Sequence, residues 1–169
     1  MDITNYPLSG IEMMTLNPDA HLYKYTDLFK FDNIEDVFGN KNKVIILYLI
    51  HNDMAGHWVC LFRNNDKYLN FFDSYGVDLD YQLDMLDKKT RKRLNEEQNY
   101  LKQLLDEHMV LYNNITYQKP KTATCGCFVS HRLANSHLTD MEYLNNFIKH
   151  DLDPDRYVAE YCFKRLNYI

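Results

Sequence analysis

The sequence predicts an α+β fold, with a central, mostly antiparallel sheet flanked by helices. Three observations predict it. A capped helix start stands near the front, three strand-like runs occupy the middle, and amphipathic segments with helix caps close the chain. With 169 residues, 46% of them hydrophobic, the chain is read as one domain spanning 1–169. A chain of that size buries roughly 70% of its unfolded surface, so it needs neither metal nor disulfide to hold a core.

Each element has a local reason. Ser9-Gly10-Ile11-Glu12 has the S-x-x-E form of a capping box, and Asn17-Pro18 stops the short helix it starts. A second short helix over 32–38 is closed by Gly39. Residues 44–50 are apolar on both parities, which suits a strand buried on both faces. Residues 57–63 and 67–73 read as two further strands, joined by the turn-forming Asn64-Asn65-Asp66. Leu94, Leu101, Leu104 and Leu105 fall on one helical face, so a long amphipathic helix is expected over 91–107. A return to strand follows at 109–113. The first closing helix is expected over 125–135, with Phe128, Val129, Leu133 and Ala134 toward the core. The second runs over 139–149, where Thr139 and Glu142 make another capping box. The third runs over 154–166, with Asp153 as cap and Pro154 in its first turn.

Composition bounds the function. Nineteen Lys and Arg against twenty-four Asp and Glu give a net charge of −5, which argues against a dedicated nucleic-acid binder. The basic run Lys88-Lys89-Thr90-Arg91-Lys92-Arg93 reads as a solvated helix face in preference to a docking site. The longest apolar run is far short of the roughly 20 residues that span a bilayer. Met1–Asn5 shows no secretory leader, so an unsecreted protein with no membrane partner is expected. The cysteines are Cys60, Cys125, Cys127 and Cys162; no C-x-x-C pair occurs, so zinc-ribbon and thioredoxin readings fail and reduced thiols are the default.

Two arrangements carry chemistry. If the two middle strands form a hairpin centred on Asn65, paired positions sum to 130 and His57 faces Asp73 with Cβ atoms about 4.5–5.5 Å apart. A carboxylate so placed holds an imidazole in one tautomer and stabilises its protonated form. A slip of one residue would put the two on opposite faces, and both would then be solvated strand ends. The second arrangement is the loop 117–124 running into an apolar helix. Pro120 blocks an earlier start, so Cys125 lies at the helix N-terminus, where free N–H groups favour thiolate and can bind an oxyanion. Gly126 would let a substrate backbone approach closely. Cys60 and Cys162 fit a buried structural role, and Cys127 is turned about 200° around the helix from Cys125.

In chain order these pieces read Gly56-His57-Trp58, Phe71-Phe72-Asp73-Ser74-Tyr75-Gly76, Gln118 and Thr124-Cys125-Gly126-Cys127-Phe128. That pattern resembles the cysteine proteases that include adenain, the adenovirus maturation protease, and the SUMO-processing proteases. The resemblance covers about 44–133. It implies a papain-like, adenain-like core with the catalytic Cys at a helix N-terminus. It makes His57 the base, Asp73 its orienter, Gln118 the oxyanion donor and Cys125 the nucleophile. Trp58, the only tryptophan, would pack beside the cleft or in the core. Phe-Asp-Ser-Tyr-Gly looks like the SUMO-protease branch, whereas the seven-residue step from Gln118 to Cys125 looks like adenain.

The resemblance implies a cysteine endopeptidase that cuts beside Gly and other small residues through a thioester, with no metal and no organic cofactor. Small enzymes of this type are encoded by double-stranded DNA viruses and virophages. A capsid precursor is therefore the expected protein substrate, in the virion or in the cytoplasm or viral factory of a host cell, and nucleic acid is not an expected partner. The alternatives are a SUMO or ubiquitin-like deconjugase, and then an acyltransferase or an inactive binding module on the same fold.

Overall fold

The computed structural model describes residues 1–52, 55–64 and 68–169. In chain order the elements are α1 (Gly10–Leu16), β1 (His21–Lys24), α2 (Ile34–Phe38), β2 (Lys43–Asn52), β3 (Ala55–Arg63), β4 (Leu69–Phe72), α3 (Tyr81–Asp84), α4 (Lys88–Arg93), α5 (Tyr100–Leu105), β5 (Val110–Tyr112), α6 (Cys125–Ala134), α7 (Asp140–Lys149) and α8 (Pro154–Arg165). Short 3-10 turns run over Ile3–Asn5 and Tyr25–Lys30. The five strands form one sheet in the order β1-β2-β3-β4-β5. The sheet is mixed, not mostly antiparallel: β2–β3 and β3–β4 are antiparallel, while β1 and β5 run parallel to their neighbours. The two outer strands are reached by crossovers through helical segments, and a crossover returns the chain in the parallel sense.

Parity along the strands divides the core in two. Ile45, Leu47, Leu49, Trp58, Cys60, Phe62 and Phe72 face one apolar cluster, with Met13, Phe128, Val129, Tyr143, Phe147, Val158 and Cys162 from the helices. Val44, Ile46, Tyr48, Val59, Leu61 and Phe71 face the other, with Tyr25, Leu28, Val37, Phe38, Leu83, Leu101 and Leu105. β2 is thus buried on both faces, as its unbroken apolar run requires. Among the described residues no helix is long and apolar enough to cross a membrane.

The local capping signals hold but for Asp153, which stands at the N-cap of α8 yet makes no capping hydrogen bond and accepts from Lys119 Nζ at 2.8 Å instead. Ser9 and Glu12 close a capping box on α1, as do Thr139 and Glu142 on α7. Asn33 caps α2 and Gly39 ends it, and Pro154 stands in the first turn of α8. The basic run lies on α4, none of whose residues is buried.

Three further expectations are corrected, and one strand was not expected. The helix over 91–107 is two short helices, α4 and α5, broken where Asn95 turns left-handed at φ 57° and the Glu96 carboxylate accepts the Leu49 N–H at 2.8 Å. That N–H lies at the irregular end of the β2–β3 ladder, so a buried donor is satisfied at the expense of the helix. β1 carries no sequence signal, because four half-buried residues, two of them His and Lys, give no apolar run. On α6 Ala134 is exposed and Arg132 is fully buried. The guanidinium donates to Asn135 O, Leu138 O and Asp140, and lies over the Phe62 and Tyr143 rings. The last correction concerns register. Cys60 pairs with Phe72 and Arg63 with Leu69, so paired positions sum to 132 and not 130. The turn at Asn65-Asp66 that fixed the expected register lies outside the described residues.

Candidate active site

A shift of two positions preserves strand parity, so the carboxylate stays on the same face as the imidazole. β4 ends at Phe72, and Asp73 follows as the chain leaves the sheet. His57 Nε2 lies 2.8 Å from Asp73 Oδ1, and both side chains are buried. Under the observed register it is Tyr75, not Asp73, that comes level with His57. Its ring stacks on the imidazole at 5.0 Å and 22°. Asp73 Oδ1 also accepts the Tyr75 N–H at 2.8 Å, and the turn closes through Gly76 N–H to Asp73 O. Gly76 has φ 69°, and a Cβ there would meet the Ile115 carbonyl carbon at 2.6 Å. Only glycine fits this corner.

The Gly56-His57-Trp58 segment is fixed as tightly. A Cβ on Gly56 would fall 1.7 Å from Tyr48 O, so this strand meets β2 only without a side chain. Trp58 serves both expected roles: it is buried in the core, it lines the cleft, and its indole N–H donates to Leu8 O at 3.0 Å. His57 shares its parity with Val59 and Leu61, whereas α6 packs on the other face. Imidazole and helix therefore meet at the end of the sheet.

Cys125 is the first residue of α6 and is half-buried, whereas the other three cysteines are fully buried. Burial would drive the proton off His57, but hydrogen bonds to Asp73 and Cys125 outweigh it and push the group up to about 10. At Cys125 burial opposes ionisation, yet the His57 imidazole and backbone hydrogen bonds from Trp58 and Gly126 bring the thiol below its usual range. With Nε2 committed to Asp73, Nδ1 is the ring nitrogen left for the sulfur. Burial pushes the Cys60 thiol up; its Cys162 neighbour and then burial do the same for Cys127.

Gln118 is buried in the cleft wall. Its Oε1 accepts from Ser74 Oγ at 2.6 Å and its Nε2 donates to Thr122 O at 3.1 Å, which leaves a second amide N–H for the cleft. The expectation for Gly126 changes its reason. A Cβ there would meet Met13 Sδ at 2.9 Å, Trp58 Cδ1 at 3.1 Å and Leu8 Cβ at 3.2 Å, so glycine is required by the protein's own packing.

His57, Tyr75, Gln118 and Cys125 line a cleft of about 1210 Å³. Much of the rest of its lining is apolar, with Leu8, Ile11, Met14, Leu22, Leu47 and Ile50 among its residues. Among the described residues no group of three or more His, Cys, Asp or Glu is arranged to hold a metal ion. The sequence reading missed three supports. Asn113 clamps the Asp73 backbone, accepting its N–H at 3.0 Å and donating to its carbonyl at 2.7 Å. Ser74 and Tyr75 stood inside the quoted motif, yet nothing there assigned them roles. Asn113 gave no signal, being forty positions away from its partner.

No protein-family model matches the chain. It is 33% identical over 141 residues to Uncharacterized protein V9 of Sputnik virophage, an alignment that spans 80% of each protein. The chain belongs to the family of that virophage protein.

Proposed function

We propose that this member of the V9 family is a cysteine endopeptidase, with the core read as the papain-like arrangement of the adenain-like proteases. The observation that carries the reading is the continuous line Cys125–His57–Asp73 at a helix N-terminus, with thiol and imidazole both biased toward their charged forms. The cleft supports a chain substrate, since about 1210 Å³ exceeds the roughly 300–1,000 Å³ of small-molecule pockets.

In the proposed reaction the Cys125 thiolate attacks the scissile carbonyl carbon. The oxyanion is met by the Cys125 N–H and by the free N–H of the Gln118 amide. The His57 imidazolium passes its proton to the leaving amine as the C–N bond breaks, which leaves a thioester on Cys125. His57, now neutral, takes a proton from water. The hydroxide releases the acid product, and the thiolate returns beside the imidazolium. Asp73 keeps the imidazole in one orientation throughout.

Kinship with a virophage protein supports a viral setting. The substrate proposed for that setting, from the resemblance to adenain-like proteases, is a capsid precursor cut beside Gly or small residues, in the virion or the viral factory. The test is cleavage of the virus's capsid precursor and of Gly-containing fluorogenic peptides. Cys125→Ala is expected to abolish both while leaving the fold intact, and Cys127→Ala to keep substantial activity. An active Cys125→Ala protein overturns the assignment. Labelling by a ubiquitin-like probe with an electrophilic C-terminal Gly, without capsid cleavage, moves the substrate to a ubiquitin-like conjugate.

A further inference from the structure

Asp155 stands in the first turn of α8 and is only 2% exposed. Its carboxylate is turned toward one segment. Oδ2 accepts the Lys119 N–H at 3.0 Å, while the hydroxyls of Thr122, at 3.0 Å, and of Thr124 reach Oδ1. Lys119 follows Gln118 and Thr124 precedes Cys125, so a single buried carboxylate ties down both ends of the loop between the two residues. The Thr122 carbonyl in turn accepts from the Gln118 amide.

Thr124 makes the arrangement more than a loop anchor. It is the N-cap of α6, yet its side chain makes no capping hydrogen bond. A threonine there ordinarily accepts the N–H of the second or third helical residue. Here the hydroxyl donates to Asp155, and Thr124 has φ −94° and ψ 3°, outside the extended range of a capping residue. Its oxygen is thus held off the first-turn N–H groups, which are left for the sulfur and for an incoming anion.

We propose that Asp155 is a positioning residue for the oxyanion side of the site. It acts through Thr122 and Thr124, keeping the Gln118 amide aimed at the cleft and the N-terminus of α6 uncapped. This rests on the hydrolase reading above. The experiment compares two rates for wild type and variants: peptide hydrolysis, which needs the oxyanion donors, and alkylation of Cys125 by iodoacetamide, which needs only the thiolate. In Asp155→Asn one acceptor facing the loop becomes a donor. Its kcat is expected to fall about ten- to a hundredfold, with KM changed much less and alkylation within about twofold of wild type. Thr124→Val, which keeps the buried carboxylate, is expected to show the same split, and Thr124→Ser to recover most of the loss. Parallel falls in hydrolysis and alkylation would make Asp155 a structural residue and overturn the proposal, as would unchanged hydrolysis in both Asp155→Asn and Thr124→Val. Backbone amide exchange at 122–126 tests the loop itself and is expected to quicken in Asp155→Asn; unchanged exchange also overturns the proposal. A wild-type protein that hydrolyses no peptide sinks the hydrolase reading instead.

Discussion

Among the described residues two histidines are buried and hydrogen-bonded, and their surroundings drive them in opposite directions. His57 faces the Asp73 carboxylate and the Cys125 sulfur and is pushed up to about 10. His131 has its Nδ1 2.8 Å from the Tyr143 hydroxyl, inside an aromatic box of Tyr143, Phe147, Tyr157 and Tyr161. Burial, with Arg165 and Arg132 nearby, lowers it to about 4. Burial opposes the charged imidazole in both places. What differs is the sign of the neighbours: anions for His57, cations for His131. A buried histidine is therefore a candidate for proton transfer only where its partners hold the proton on it.

The largest effect separates the two directly. His57→Ala is expected to lower peptide hydrolysis by about 10⁴-fold or more, because base and leaving-group acid go together. His131→Phe keeps the aromatic box filled and is expected to leave hydrolysis within about threefold. Steady-state rates on one peptide settle it, and comparable losses in the two variants would break the comparison.

Next comes Gln118→Ala, which removes an oxyanion donor but leaves His57 its anionic partners. It is expected to cost about a hundred- to a thousandfold in turnover, while alkylation of Cys125 proceeds at nearly the wild-type rate. If alkylation falls with it, the amide holds the loop and the oxyanion donor lies elsewhere.

Asp73→Asn removes one of the two anions that hold the proton on His57. Turnover is expected to fall about a hundredfold, less than in His57→Ala, since the sulfur remains as a partner. The pH profile of alkylation reads the cause. In wild type the thiolate persists below the ordinary cysteine range, and in Asp73→Asn its inflection moves up. An unmoved inflection would assign Asp73 to orientation alone.

Much of this site was legible because its parts are local in sequence. The capping boxes at Ser9 and Thr139 lie within four residues, and the Cys125 helix start is announced by Pro120 and the apolar run after it. The pairing of His57 with Asp73 survived an error of two in register because only parity matters to which face a side chain takes. What escaped depends on distant partners. Glu96 breaks a helix to reach Leu49, forty-seven positions away. Arg132 is buried because carbonyls of the next turn and two rings receive it, and Asp155 meets Thr124 across thirty-one positions. No periodicity carries such pairings.

The smallest effect tests the other half of the comparison through stability. His131 has its folded pKa below the unfolded value, so between about 6.5 and about 4 the unfolded chain binds the extra proton. Its contribution is fully present above 6.5 and is lost as pH falls toward 4, by roughly 2–3 kcal/mol. Glu96, pushed up to about 7 by burial, has the opposite sign. Its contribution is full below about 4.5 and is lost as pH rises through 7, so the two slopes oppose each other in wild type across their shared window. His131→Phe removes one of them. At pH 7 the variant is expected to be less stable by about 1–2 kcal/mol, because the Tyr143 hydroxyl loses its partner. As pH falls from 6.5 to 4 that gap should close and then reverse, since the loss of roughly 2–3 kcal/mol falls on wild type alone and the variant has no imidazole to protonate. Urea unfolding of both proteins at pH 7 and pH 4.5 measures it. A gap that stays constant or widens toward acid would mean that His131 already carries its proton in the folded state, and the contrast with His57 would fall.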